Sequence, residues 1–570
     1  MPQLTLLTRI SMFEFSTQKR DEFGLMNETL KQNALGDHYR VVIIGAGVGG
    51  LYLIKRLTDL GIDVVLLEGE GGVGGTWYRN RYPGARFDSE SYTYGFSFSK
   101  SLLNEWHWQE RYSPQPENLR YFNYVVEKFQ LAEHIHFNCW LTHAHWQEAE
   151  RHWWLALGDG RQLKADFVIS AIGLLSVPTK PRYEGVDRFK GDSFHTFEWP
   201  DEPVSLEGKR VGVVGTGATG IQVIGEIAPI VDSLHVFQRR PNWAAPLNNS
   251  AISGAEMDDI RAKYEEIFEF CSKTPGGFAH EPDRRGFWNF TREERVAFWD
   301  ELYDQPGFSI WLANFREIFT DERANAEFSD YIAGRIRARV RDPKIAEKLI
   351  PKDHGFGWQR VPMETNYYEA FNLPHVHLVD LNETPITKVT ESGIEISEGL
   401  IALDLIVYAT GFDAVTGAFN RIDIRGVGGR SLREKWAEGP ETYLGTLVSG
   451  FPNFMMVAGP QSASSLSNFP RAIEIGGNWI ADLISHVMGT GCSRVEATEE
   501  AEAEWTAHVA EMYEALLMRK GKGWFTGYNS NLDGHTGERI HYFVYNGGAP
   551  KFHETLRSVA SENYRGLTMS

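Results

Sequence analysis

Two glycine loops, each set between an apolar strand and a helical pattern, mark the chemistry open to this chain. The first is Gly45-Ala46-Gly47-Val48-Gly49-Gly50, preceded by the β-branched run 39–44 and followed by Leu51, Ile54 and Leu57 on one helical face. Gly45 allows a tight turn, Gly47 lets the backbone approach a pyrophosphate, and Gly50 permits close helix–strand packing. The helix N-terminus adds N–H groups and positive potential for phosphates. The next strand, 63–67, ends in Glu68, a carboxylate suited to a ribose diol. The second loop is Gly215-Thr216-Gly217-Ala218-Thr219-Gly220, and its following strand ends in Gln238-Arg239-Arg240 instead of an acid. A carboxylate there would repel a 2′-phosphate, whereas a guanidinium pairs with it bidentately. The first loop therefore suits FAD and the second NADPH.

A chain of 570 residues, 42% hydrophobic and 23% charged, has room for two or three domains of ordinary globular type. Its formal charge of −19 argues against nucleic acid and anionic membrane as partners, because both demand a basic surface. Cys139, Cys271 and Cys492 form no C-x-x-C pair, so neither a zinc site nor a redox dithiol is expected. His143 and His145 share one face of a strand pattern but have no third ligand nearby in sequence, so no metal is expected either. No apolar run reaches the eighteen or so residues of a membrane span. The N-terminus lacks the apolar stretch of a signal peptide. The expectation is a soluble, cytoplasmic enzyme, with residues 1–37 as an extension.

These loops require an α/β fold of two Rossmann-like dinucleotide-binding domains. Residues 38–175 and 411–570 read as the two parts of a FAD-binding domain. Residues 176–240 and 358–410 read as the parts of an NADP-binding domain, and 241–357 as a helical insertion within it. Short alternating runs over 120–165 predict strands closing the first domain, and 166–173 a buried strand leading to the crossover. In the insertion, Met257, Ile260, Tyr264, Ile267 and Cys271 recur at helical spacing, and Thr291 with Glu294 forms a capping box. Arg335, Arg337, Arg339 and Arg341 spread around a helix, which reads as a solvated face and not a phosphate site. Further apolar strands are predicted at 375–380, 404–412 and 451–460.

Between the two loops lies Phe189-Lys190-Gly191-Asp192-Ser193-Phe194-His195-Thr196-Phe197-Glu198-Trp199-Pro200. Aromatics with one Gly and one Pro could be a packed linker, and a lone His is usually structural. The pattern F-x-G-x-x-x-H-x-x-x-W-P nevertheless resembles the signature of the type I Baeyer–Villiger monooxygenases. A second stretch, from Gly74-Gly75-Thr76-Trp77 through Tyr82-Pro83-Gly84 to Asp88, resembles another motif of that family. The resemblance covers nearly the whole chain beyond residue 38 and is closest to the phenylacetone, steroid and cyclododecanone monooxygenase branch.

That resemblance implies NADPH- and O2-consuming oxidation of a ketone to an ester or lactone through a C4a-peroxyflavin. It places Gly75, Thr76 and Trp77 along the flavin, with Asp88 and Tyr94 near its reacting edge. Arg360 matches the family's active-site arginine, a cation that cannot lose its proton, and Asp88 would hold and tune it. Trp505 matches a tryptophan that holds the nicotinamide half of NADP+. Phe189, Gly191, His195, Trp199 and Pro200 form the signature, with His195 read as a hinge coupling the domains. Leu174, Leu175, Ser464, Ser465 and Phe469 are expected around the substrate, with a bulky or cyclic apolar ketone as partner. One departure is Gln359, where family members often carry a lysine for the 2′-phosphate, so NADPH preference should be reduced but retained. Flavin monooxygenases of nitrogen or sulfur share F-x-G-x-x-x-H but usually lack the Trp-Pro, which makes heteroatom oxidation the alternative, with a simple NADPH–flavin reductase behind it.

Overall fold

The computed structural model describes residues 34–570 apart from Thr536 and Arg539, so most of the expected 1–37 extension lies outside the described residues. The first sheet is built on the strand His38–Ile44, which pairs in parallel with Val64–Leu67 on one side and Gln162–Ser170 on the other. Val41 and Ile43 face one core cluster while Val42 and Ile44 face another. Burial on both faces explains why the run is continuously apolar instead of alternating. The sheet extends through Ile135–His136 at one edge and through His152–Leu157, Leu141–Gln147 and Asp423–Arg425 at the other. Phe454–Met456 adds in parallel to the end of Gln162–Ser170.

The second sheet has five parallel strands, in the order Val376–Asp380, Ser233–Gln238, Arg210–Val214, Leu405–Tyr408, Asp192–His195. The signature stretch thus forms an edge strand of this sheet. Gly191 is needed there because a Cβ would run into the Asp404 carbonyl. A small antiparallel sheet, Ile386–Thr390, Gly393–Ile396 and Gly399–Ala402, packs beside it.

The chain passes between the two sheets twice, and the two crossovers lie side by side. Thr179 N–H donates to Gly411 O and Asp413 N–H to Val177 O, both at 2.9 Å. The long helix Phe469–Gly489 packs on the first-loop helix Val48–Asp59. Gly477 permits the approach, since a Cβ would meet the Tyr52 ring at 2.8 Å.

Three expectations change in the structure. Residues 120–128 complete a helix, Gln115–Lys128, and strands begin only at 135. The inserted helices divide: Gly254–Lys273 buries Met257, Ile260 and Tyr264 in the core of the first sheet, while Trp299, Phe315 and Phe328 join the core of the second. The arginine run is not a uniformly solvated face. Arg339 pairs with the fully buried Glu364 at 2.6 Å and with Glu369 at 2.7 Å, and Arg341 lies beyond the helix Glu322–Arg339. The capping box of Thr291 and Glu294 is present as expected.

Candidate active site

Asp88 ends the aromatic loop that follows Gly75, and its side chain is buried. Its Oδ2 accepts from Arg360 Nη1 at 2.7 Å and from the Met363 backbone N–H at 3.2 Å. Its Oδ1 is buried and unpartnered, a lone pair that needs a donor. The Arg360 side chain is 31% exposed, and its guanidinium lies 5.8 Å from the Phe308 ring centroid. One face of the arginine is therefore fixed by a carboxylate while the other remains open.

It opens into a cavity of about 730 Å³. Asp88, Tyr94, Ala463, Ser467 and Phe469 form its wall on the side of the first sheet. Phe278, Phe308 and Trp311 of the insertion and Leu516, Phe525 and Tyr545 of the C-terminal segment supply the apolar remainder. Tyr94 stacks on Phe87 with centroids 4.0 Å apart and accepts from Trp77 Nε1 at 3.0 Å. Burial pushes the Tyr94 hydroxyl well above the ordinary tyrosine value, so it stays protonated.

His280 on the same wall is tied to the loop of Asp88. Its Nε2 meets Glu90 Oε1 at 2.8 Å, and Nδ1 lies 3.3 Å from Ser309 Oγ. The serine hydroxyl is also within reach of Pro306 O, at 2.9 Å. Burial raises the Glu90 pKa, but the charge and hydrogen bond of His280 outweigh it and hold the carboxyl below its usual range.

The two glycine loops repeat one geometry. Gly45 has φ +102° and donates to Leu67 O at 2.8 Å; Gly215 has φ +109° and donates to Phe237 O at 3.0 Å. A Cβ on Gly50 would strike Gly45 O, and one on Gly220 would strike Gly215 O. At Gly47 a Cβ would approach only Gly75 Cα, at 3.7 Å, and at Gly217 nothing lies within 4 Å. Space beside these middle glycines is what a pyrophosphate requires, so both loops fit a dinucleotide. Glu68 stands at the end of its strand, accepting from the backbone N–H of Ala46 at 2.6 Å and of Glu70 at 2.8 Å. Ala218 and Thr219 open the helix Ala218–Ile227, and Thr216 Oγ1 donates to Arg240 O at 3.0 Å.

Residues 39–263 match the family model for pyridine nucleotide-disulphide oxidoreductases. The chain is 42% identical over 535 residues to the 2-oxo-Δ3-4,5,5-trimethylcyclopentenylacetyl-CoA monooxygenase of Pseudomonas putida, covering 93% of this chain and 98% of that one. It is 39% identical to the acetone monooxygenase (methyl acetate-forming) of Gordonia sp. (strain TY-5), over 93% of this chain and 98% of that one. The crystal structure of OTEMO complexed with FAD and NADP matches with a TM-score of 0.90 at 42% identity, covering 95% of this chain and 100% of that one. The chain belongs to the type I Baeyer–Villiger monooxygenases. A phenazine N-monooxygenase of Lysobacter antibioticus is also similar, at 38% identity over 93% of this chain and 97% of that one.

In this Baeyer–Villiger monooxygenase the structure brings together Asp88, Tyr94, Arg360 and Phe469 and leaves other expected residues elsewhere. Trp505, expected at the nicotinamide, stands apart from this group. It is buried in the helix Glu499–Glu514, donates to Gln461 O at 3.3 Å and stacks on Tyr545 with centroids 5.2 Å apart. Tyr545 lines the cavity, and Trp505 is not among the residues around it. Leu174 and Leu175 do not line the cavity either; Leu175 is 36% exposed and the Leu174 carbonyl accepts from Val415 N–H. Ser464 is buried against Ser462, and the Ser465 side chain lies outside the described residues. Ala463 and Ser467 take the places expected of these serines.

Sequence reasoning also missed the segment 520–533. Asn529 Nδ2 donates to Phe412 O at 2.7 Å, Asn531 Nδ2 to Thr410 O at 3.0 Å, and Ser530 Oγ accepts from Arg239. This strap fastens the C-terminal part to the crossover and to the second loop's arginines. Its one sequence signal was the cluster of Gly and Asn between Gly521 and Gly534. Thr76 is exposed at the start of its short helix. Among the described residues no group of three or more His, Cys, Asp or Glu could hold a metal, and no helix is long and apolar enough to cross a membrane.

Proposed function

We propose that this monooxygenase inserts oxygen beside the carbonyl of a bulky or cyclic ketone, with Arg360 and Asp88 at the reacting centre. The observation that carries the reading is the Asp88–Arg360 pair set into an aromatic-walled cavity of about 730 Å³. Bound FAD, with NADPH, supplies the electrons and the activated dioxygen. Gly45, Gly47, Gly50 and Glu68 hold the FAD, and Gly215 to Gly220 with Arg239 hold the NADPH. Arg360 presents a permanent positive charge to the oxygen anions that develop on the reacting atoms, where a preorganised cation acts most strongly. Asp88 fixes the guanidinium in the required orientation. Phe278, Phe308 and Trp311 exclude water and set the shape of ketone admitted.

A ketone panel, scored by chromatography for ester or lactone against NADPH consumed, tests the proposal. Ester from no ketone would end it. The similarity to a phenazine N-monooxygenase favours a second reading, N-oxidation. Including aromatic N-heterocycles and thioethers in the panel separates the two.

A further inference from the structure

The arginines that close the second loop are not equivalent. Arg239 lies exposed at the end of the strand Ser233–Gln238, where the ribose 2′ position of a dinucleotide falls, and its guanidinium donates to Ser530 Oγ. Arg240 is held on three sides. Its Nε and Nη2 donate to Asp353 Oδ2 at 2.9 and 2.7 Å. Its Nη1 donates to Lys522 O at 3.3 Å, and its plane lies 5.5 Å from the Tyr528 ring centroid. The second Asp353 oxygen is bound to His354 Nδ1 at 2.7 Å. Nearby Gln359 brings no charge, and its Nε2 is buried without a partner.

We propose that Asp353 is a coenzyme-selectivity residue: it holds Arg240 away from the 2′-phosphate and sets a carboxylate at the edge of that site. Arg239 then recognises the phosphate largely alone, and discrimination against NADH is narrowed. The inference rests on the assignment of Gly215–Gly220 and Arg239 to NADPH. Asp353 remains ionised through the neutral range. The His354 hydrogen bond and the Arg240 charge hold it well below the ordinary carboxylate value against its partial burial.

The test titrates FAD-loaded protein with 2′,5′-ADP and with 5′-AMP, which differ only in the 2′-phosphate, and compares kcat/KM for NADPH and NADH. Asp353→Asn should tighten 2′,5′-ADP about five- to tenfold, the effect of one partly screened charge near the surface, and leave 5′-AMP unchanged. The gain should fade as salt is raised. Arg240→Ala alone should weaken 2′,5′-ADP by exposing the carboxylate, and Asp353→Asn/Arg240→Ala should recover most of that loss. Asp353→Glu keeps the charge and should behave like the parent, which controls for folding. Equal changes for both nucleotides, or none in Asp353→Asn, would overturn the proposal. If Arg239→Ala does not weaken 2′,5′-ADP, the assignment of the NADPH loop fails instead.

Discussion

Asp88 and Arg360 stand 272 positions apart in the chain and meet at 2.7 Å. The carboxylate comes from the first unit and the guanidinium from the second, so the pair forms only when both units are docked. Tyr82 and Gln222 support that docking, the tyrosine hydroxyl donating to Gln222 Oε1 at 2.8 Å. Gln222 Nε2 in turn donates to Arg86 O at 2.9 Å.

Arg360→Ala should retain FAD and still consume NADPH while losing ester. Removing one preorganised donor costs about 2.7–4 kcal/mol, or roughly a hundred- to a thousandfold. Hydrogen peroxide should account for the NADPH oxidised, measured beside the ester by chromatography. Ester at close to the parent rate would remove Arg360 from the reacting centre.

Arg239→Ala should raise the NADPH constant about ten- to a hundredfold, from a lost charged hydrogen bond of about 1.5–3 kcal/mol. NADH should be nearly unaffected. Initial rates with both coenzymes decide it, and an equal loss for both would make Arg239 a structural residue.

His195 accepts from Phe197 N–H at Nδ1 and reaches Gly411 O from Nε2, both at 3.1 Å. Only the neutral imidazole protonated at Nε2 satisfies both bonds. Burial accordingly lowers its pKa to about 4 from 6.5, despite the nearby Glu198 charge. The unfolded chain binds the extra proton first, so stability is present above about 6.5 and is lost as pH falls toward 4, by up to about 3 kcal/mol. His195→Gln should flatten this part of the Tm–pH curve. Because Gly411 lies in the second crossover, His195→Ala should also slow turnover with FAD content intact.

Glu90→Gln removes the carboxylate that His280 Nε2 meets at 2.8 Å. Removing one partner of a buried pair costs about 3–5 kcal/mol, which should appear as a lower Tm. The wall formed by His280 and Phe278 should loosen, raising KM for the ketone more than for NADPH. Equal shifts in both constants would limit the pair to a stability role.

Both loops and both central strands were legible because their signals are local: glycines at fixed offsets and apolar runs buried on two faces. Asp88 and Arg360 were legible through their motifs, although nothing in the spacing shows that they meet. Trp505 was assigned from the resemblance alone, and its stack on Tyr545 joins two stretches of chain that no local pattern links. The cavity walls from Phe278, Phe308 and Trp311 were illegible for a similar reason. Phe278 and Phe308 lie between the inserted helices, and where such connections come to rest depends on long-range docking, of which periodicity carries no record. Arg339 was misjudged because its partners, Glu364 and Glu369, come from a separate stretch of chain.

The two adjacent crossovers make the coenzyme-handling half of the molecule a cassette. Its entry and exit are bonded to each other through Thr179 to Gly411 and Asp413 to Val177, both at 2.9 Å. Residues between them can therefore be exchanged for those of a relative by cutting at two neighbouring points, with no gap to bridge. The graft must keep a surface for the strap 520–533, since Asn529 and Asn531 grip the seam itself. It must also keep the helix Gly254–Lys273, whose Met257, Ile260 and Tyr264 fill the core of the first sheet, so the seam is a joint for recombination only when that helix stays with the flavin half.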